Sequence, residues 1–600
     1  MTVRRLTGYH HPMWRAFACT GLVLAAMAGR AAEVPRADDP DHFTPADCQA
    51  MLRLARAALA AEGKPAFDPA TMPAKLLRAT GKPFLLSVHA PGREPLIGSA
   101  ATGTLFEQIA GAARRLRGIL APAMLAIARL KVDLVMSVEP LRLGGQPVLG
   151  LEGLRLRAPG AELLLPPSEA LRLDLPDGAA FVSYALTQLK APEAVLREVT
   201  VERLSTMSFI ERDPGGGGPP VDLYRGMPLV ERVNRRQLLA ACEAAGDYLL
   251  RGQRPDGSFV YLYNAARDAV EDDAYEATRH AGTAWSLAQL CAATGRRRFR
   301  DGAYRALEWL LGRLRIRDDM AWLEHGGQRP LGAAALGVMA LLEYRAAART
   351  RRFDREIRRL GRFLVFMQRD DGFFHSDYDA VEHRGHIPDG HVPLFAPGEA
   401  LLALVRLQRA MPDPAWLRAA ARAAEFMSTK RDAWHFEHDL PMIHPDSWTM
   451  MALDELHAQG AALRAQADYC LFLAHEVLRE QEEPSTARWR DHVGAPRTSL
   501  EPPRSDVAAG RCEGLLAAWR LARRLGAAAD DHRRAILLSA AFQLAHQYDA
   551  VNSYLLPNPA RAQGGFYSSY ADHSIRMDYV QHNLSALLGA ADLLASEDER

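Results

Sequence analysis

Six times between residues 280 and 583, a polar or glycine-rich cluster opens directly into an Ala/Leu-rich helical run. The openings are His280-Ala281-Gly282-Thr283, Gly326-Gly327-Gln328, Pro397-Gly398-Glu399, His444-Pro445-Asp446-Ser447, Arg511-Cys512-Glu513-Gly514 and Gln581-His582-Asn583. Successive openings lie roughly 45 to 75 residues apart, about one helical hairpin plus a long loop. A second set of runs precedes them: 237–253, 299–314, 353–368, 415–428, 463–481 and 532–547. These carry apolar residues at three- and four-residue spacing with charges opposite, as helices on an outer layer do. The runs after the openings, such as Leu331 to Leu342 and Leu401 to Leu407, are apolar on all sides and suit an inner layer. A sixfold array of this kind is expected to close into a ring with the polar openings around one mouth.

Turn chemistry repeats with the hairpins. Gln253-Arg254-Pro255-Asp256-Gly257-Ser258-Phe259, Gln368-Arg369-Asp370-Asp371-Gly372-Phe373 and Gln563-Gly564-Gly565-Phe566-Tyr567 each place a glycine where positive φ ends a segment and an aromatic turns back.

The first third reads differently. Helices are expected over 46–61, 105–116 and 181–189, and strands near 83–90, 132–138, 148–156 and 198–209, an α+β domain over 44–212. Asp213-Pro214-Gly215-Gly216-Gly217-Gly218-Pro219-Pro220 then breaks all periodicity, and 213–234 is expected as a linker. The fold class is therefore mainly α: a smaller α+β domain followed by a toroid over 235–597.

Three stretches in order, Leu96-Ile97-Gly98 with Thr104 to Ile109, Val132 to Val138, and Leu151 to Leu154 with Leu163 to Pro167, resemble the AMMECR-type domain family. That family has a Gly-Cys-Ile-Gly type signature where Ser99-Ala100-Ala101 stands here, so the resemblance implies fold and no thiol chemistry. The region 235–595 resembles the six-hairpin α/α toroids, through the Asp-Gly-Ser-Phe turns and the Pro397-Gly398-Glu399-Ala400-Leu401-Leu402-Ala403-Leu404 run. That group includes glycoside and uronyl hydrolases, sugar epimerases and lanthionine cyclases, so the resemblance defines an architecture with many chemistries.

Arg4, Arg5 and Arg15, the apolar run Ala16 to Ala28 and small residues through Ala32 have the layout of a secretory signal peptide (1–32), followed by a disordered lead-in (33–43). The expected location is periplasmic or secreted, with no stable membrane insertion after signal removal. Net charge is +1 with arginine spread along the chain, which argues against nucleic acid as a partner. Beyond the signal, Cys48, Cys242, Cys291, Cys470 and Cys512 have no pairing pattern, so neither a disulfide framework nor a zinc site is expected. No metal and no cofactor is expected.

Polar side chains at inner-helix starts face one shared cavity in such a ring. The expected catalytic set is Glu399, Asp446, Glu513, Asp578 and His444. The expected substrate-binding set is Arg279, His280, Arg511, His582, Tyr261, Trp448 and Tyr567, with the arginines clamping a carboxylate and the aromatics stacking on sugar rings. As first-turn acids, Glu399 and Asp446 equally suit plain helix capping. The leading functional expectation is an exported carbohydrate-active enzyme on an acidic glycan or anionic small molecule, working by carboxylate/His general acid–base chemistry of the hydrolase, lyase or epimerase type. Alternatives are a non-catalytic envelope protein that binds a glycan or protein, and a cyclase-like enzyme on an apolar substrate.

Overall fold

The computed structural model of the chain describes residues 43–598 apart from 62–71, 143, 192–197, 439, 441 and 498–501; the expected signal peptide and nearly all of the lead-in lie outside the described residues. From Thr44 onward the chain is one compact unit.

The first part is an antiparallel sheet. Its strands are β1 (Phe84–His89), β2 (Leu96–Ala100), β3 (Arg129–Pro140), β4 (Glu152–Ala158), β5 (Ala161–Leu165), β6 (Thr200–Ile210) and β7 (Val221–Leu223). The order is β2-β1-β3-β6-β4-β5, with β7 also paired to β6. Helices α1 (Pro45–Ala60) and α2 (Leu105–Arg117) pack together and against β1, β2 and β3. Both start on capping boxes, Thr44 with Asp47 and Thr104 with Glu107, which satisfy otherwise orphaned N–H groups. The sequence pattern missed β2, β5 and β7.

The glycine-rich stretch expected as a linker connects a hairpin instead. Val221 returns opposite Ile210 and Leu223 opposite Ser208, so the chain re-enters the sheet before leaving for the helices. One hydrophobic core then runs without a break from Leu154 and Phe181 of the sheet side into the helical part. Arg225, 3% exposed, adds a polar joint: it pairs with Asp491, donates to the Leu149 carbonyl and lies 4.0 Å over the Tyr570 ring.

From Arg235 onward twelve helices alternate between two layers. The outer ones are α3 (Arg235–Arg251), α5 (Arg297–Leu311), α7 (Asp354–Phe366), α9 (Pro414–Thr429), α11 (Arg464–Arg479) and α13 (Asp530–Ala545). The inner ones are α4 (Ala277–Thr294), α6 (Leu331–Ala347), α8 (Ala396–Ala410), α10 (Ser447–Ala458), α12 (Ser505–Arg524) and α14 (Met577–Asp598). Each inner helix packs on the next, and α14 packs back on α4, so the ring is closed: a six-hairpin α/α toroid. α6 shows why the inner runs are apolar all round, since Leu331 through Leu342 are every one buried between two inner neighbours and the outer layer.

A clasp recurs at the outer-helix ends. The Nε2 groups of Gln253, Gln368, Gln481 and Gln547 each donate to a turn glycine carbonyl (Gly257, Gly372, Gly494, Gly564) and to a backbone carbonyl of another outer helix (Gly302, Ala419, Ala535, Ala241). At Gly372 φ is +96°, and a Cβ would collide with the Arg422 carbonyl, so this turn requires glycine.

Candidate active site

Short turns join each inner helix to the outer helix that follows it, whereas long loops, some with β-hairpins, lead into the inner N-termini. The polar openings therefore do share one end of the ring. Two start earlier than the sequence pattern suggests: α12 begins at Ser505 and α14 at Met577, so Glu513 lies in the third helical turn and His582 in the second. That depth takes them below the rim.

Three ionisable groups meet there, each less than a quarter exposed. Glu399, in the first turn of α8, is 6% exposed and reaches sideways toward α6, where only the absence of a side chain on Gly332 leaves room: a Cβ there would be 2.5 Å from Oε2. Oε2 has no hydrogen-bond partner. Burial, reinforced by the nearby Asp446 charge and opposed by His582, raises its pKa to about 8. His582 Nδ1 lies 2.8 Å from Glu513 Oε2. Burial works against charge on this imidazole, but Glu513 and Asp578 outweigh it and lift its pKa to about 9, so the pair is an imidazolium–carboxylate. Burial also pushes Glu513 upward, with His582 pulling the other way, and its Oε1 is unpartnered. The Trp448 ring is centred 5.8 Å from both His582 and Trp285 and forms the apolar wall.

The other expected catalytic residues are committed elsewhere. Asp446 is the N-cap of α10, accepting from the Trp448 and Thr449 N–H groups and the Thr449 hydroxyl, and is fully buried. The capping alternative describes it. Asp578 accepts twice from Arg576, at 2.6 and 2.8 Å, and from Arg279 at 3.1 Å. Burial would raise its pKa, but the two guanidiniums hold it below the usual carboxylate range. His444 is half-buried, and burial with Arg431 and Arg511 nearby lowers it to about 4.

Of the expected binding residues, Arg279 sits at the mouth with Tyr261, whose hydroxyl accepts from it, and pairs with Glu276. Arg511 turns to Glu480, 2.7 Å away. Two expectations are corrected. His280 points to the outer layer, its ring nitrogens bonded to the Tyr275 hydroxyl and the Ala306 carbonyl and its face stacked on Trp309. Its pKa is lowered to about 3 by burial, so it is a neutral packing residue. Tyr567 is buried, donates to the Ala545 carbonyl and packs on Tyr548, so no sugar can stack on it. His280 errs because a helix opening also has a side that faces its outer partner, and Tyr567 because its loop tucks back onto the end of the preceding outer helix.

Sequence reasoning missed Trp285, Arg406, Arg431 and His435. Arg406 is bonded to Glu455 and lies 5.0 Å from the Trp285 ring centre. These residues sit on turns beyond the openings or on the short helix Arg431–Glu437, so no opening signature marks them. Two cavities lie apart from the cluster, one of about 10 Å³ beside Cys512 and one of about 590 Å³ between Glu231 and α13. Among the described residues no group of three or more His, Cys, Asp and Glu is arranged to hold a metal ion.

No protein-family model matches the sequence, and no curated protein matches it. Solved structures do share similarity in fold. Cellobiose 2-epimerase from Bacillus thermoamylovorans B4167 is 12% identical over 60% of this chain and 99% of its own, with TM-score 0.46. A D-mannose isomerase is 14% identical over 60% and 98%, with TM-score 0.44. An inactive variant of the alpha-1,6-mannanase GH76A of Salegentibacter sp. HEL1_6, in complex with alpha-1,6-mannotriose, is 12% identical over 59% and 99%, with TM-score 0.42.

Proposed function

We propose that this chain is a carbohydrate-active enzyme whose chemistry is proton transfer at the ring mouth. The observation that carries the reading is Glu399: a buried carboxyl with a free oxygen and a pKa near 8, beside the charged His582–Glu513 pair. A group poised near the working pH serves as base and acid in turn, and an imidazolium beside it stabilises charge developing on a sugar oxygen. In this scheme Glu399, once ionised, removes a proton from carbon next to a carbonyl, and His582 donates to that carbonyl oxygen. The proton on Glu399 then returns to carbon, on the opposite face for an epimerase or at the former carbonyl carbon for an isomerase, while an enol hydroxyl gives a proton back to His582.

Epimerase, isomerase or lyase chemistry fits better than hydrolysis. Hydrolysis needs a second available carboxylate, and Asp446 is engaged as a cap, Asp578 is held by two arginines and Glu513 is paired with the His582 imidazolium. The arginines expected to clamp an acidic sugar already have carboxylate partners, which favours a neutral sugar. Export rests on the N-terminal signal layout, and an AMMECR-type assignment of the sheet part rests on the three sequence stretches, which fall on β2 with α2, on β3, and on β4 with β5.

The test is incubation with glucose, mannose and their disaccharides in D2O, following deuterium incorporation and product by NMR. Exchange lost in E399Q and H582N supports the reading; exchange persisting in both refutes it. A non-catalytic sugar-binding ring is the second reading, favoured by the near-complete burial of Glu399, Asp446 and Glu513. It requires binding without exchange.

A further inference from the structure

Helix α7 and the turn before it present a row of arginines to solvent. The buried residues of α7, Ile357, Leu360 and Leu364 among them, face the ring. On the opposite stripe, at three- and four-residue spacing, stand Arg351, Arg355, Arg358 and Arg362, all exposed. From Arg345 to Arg362 eight arginines meet only two acids, although the whole chain carries a net +1. Four of the eight have carboxylate partners: Arg345 with Asp354 at 2.8 Å, Arg355 with Glu356 at 3.2 Å, Arg362 with Asp319 at 3.1 Å and Arg352 with Glu308 at 3.6 Å. The other four, Arg349, Arg351, Arg358 and Arg359, have no ion-pair partner among the described residues, so the face keeps a surplus of four positive charges.

A second observation lies at the end of the row. The next position of the same stripe is Phe366, 39% exposed. Two hairpins flank it, and each also offers an apolar side chain to solvent: Ile316 at 51% exposure and Val381 at 92%. The first hairpin packs on α7 through its strand Met320–Leu323, and His383 of the second stacks on Phe366 with ring centres 5.0 Å apart. Charges beside these side chains are paired, Arg384 with Glu382 and Arg315 with Glu324. Cations along a helix with apolar tips at one end match a lipid surface, where guanidinium forks bond headgroup phosphates and apolar side chains reach the acyl boundary. Single-stranded nucleic acid calls for aromatic rings between the cations, and the one aromatic residue from 351 to 362, Phe353, is buried. Among the described residues no helix is long and apolar enough to cross a membrane, so the contact is adsorption.

We propose that the outer face of α7 adsorbs to an anionic lipid surface, its unpaired arginines on headgroup phosphates and Phe366, Ile316 and Val381 entering the interface. The apolar end of the row is also the mouth end of the ring, so adsorption brings the mouth beside the membrane. The inference does not rest on the sugar reading. The test is co-sedimentation of the full chain with vesicles of phosphatidylcholine alone or with about one-third phosphatidylglycerol. Binding is expected to the anionic vesicles only, and to be lost as salt rises to about 0.5 M. The triple variant R351Q/R358Q/R359Q removes three groups outside ion pairs and, at roughly fivefold per charge, is expected to bind about 100-fold more weakly. V381S, at the most exposed tip, is expected to weaken binding about threefold or more. Circular dichroism confirms that both variants are folded. Equal binding to phosphatidylcholine alone, which the apolar run Ala16 to Ala28 would give by itself, overturns the proposal. So does unchanged binding by the triple variant, or tighter binding of a single-stranded oligonucleotide or of polygalacturonate than of the anionic vesicles at equal anion concentration.

Discussion

Replacing Glu399 by glutamine separates the electrostatic argument from packing, because glutamine has nearly the shape of a protonated glutamic acid. In the folded chain Glu399 holds its proton until about pH 8, whereas the unfolded chain releases it near the ordinary glutamate value of 4.5. Between those values the folded state binds more protons, so wild-type stability falls as pH rises; one proton changes the free energy by about 1.4 kcal/mol per pH unit. From about pH 5.5 to 7.5, both inside that window, the wild type should lose about 3 kcal/mol relative to E399Q. At pH 5.5 the wild type should already be less stable by about 1.4 kcal/mol, because its unfolded chain is ionised there, and the two should converge below pH 4.5, where one neutral, similarly shaped group replaces another. Urea denaturation of both proteins at the two pH values measures this. Parallel stabilities across the range would show that Glu399 ionises normally and would remove the poised acid from the mechanism.

Breaking the neighbouring pair with E513Q removes the partner that lifts His582 to about 9, leaving burial to lower it; imidazole titration by NMR should show the fall, and turnover should drop by about 100-fold or more. The wild-type pair contributes stability that is complete below about pH 6.5 and lost as pH rises through about 9, so E513Q should flatten the upper part of the pH–stability curve. In the outer clasp, G372A should cost about 3 kcal/mol or more, from positive φ and a collision with backbone, and Q368A about 2 kcal/mol, from two hydrogen bonds. Denaturation that ranks them the other way would contradict the clasp. R225A should cost about 3 kcal/mol by leaving the half-buried Asp491 uncompensated, and should speed proteolysis between sheet and ring; unchanged cleavage would show that Arg225 is not the joint.

The hairpin count, the division into amphipathic outer and apolar inner helices, and the common position of the polar openings were legible in the sequence, because helical burial leaves a period of 3.6 and loops need glycine and capping residues. So were the strands of the first part with long apolar or alternating runs, such as β1 and β3. The true extent of α12 and α14 was not, since a helix start with weak capping gives no local signal: Arg504 precedes α12 without a side-chain cap bond. Nor was the return of β7 after the glycines, which depends on a partner ten or more residues back in the chain.

The amino-acid sequence by itself determined that this chain makes a ring and which end of it is polar. Only the tertiary structure decided which polar residues share an environment: His582 with Glu513, sixty-nine residues apart, but His280 with Trp309 on the outer layer. The reason is that periodicity records whether a side chain is buried, whereas its pKa and role depend on which neighbour is buried against it.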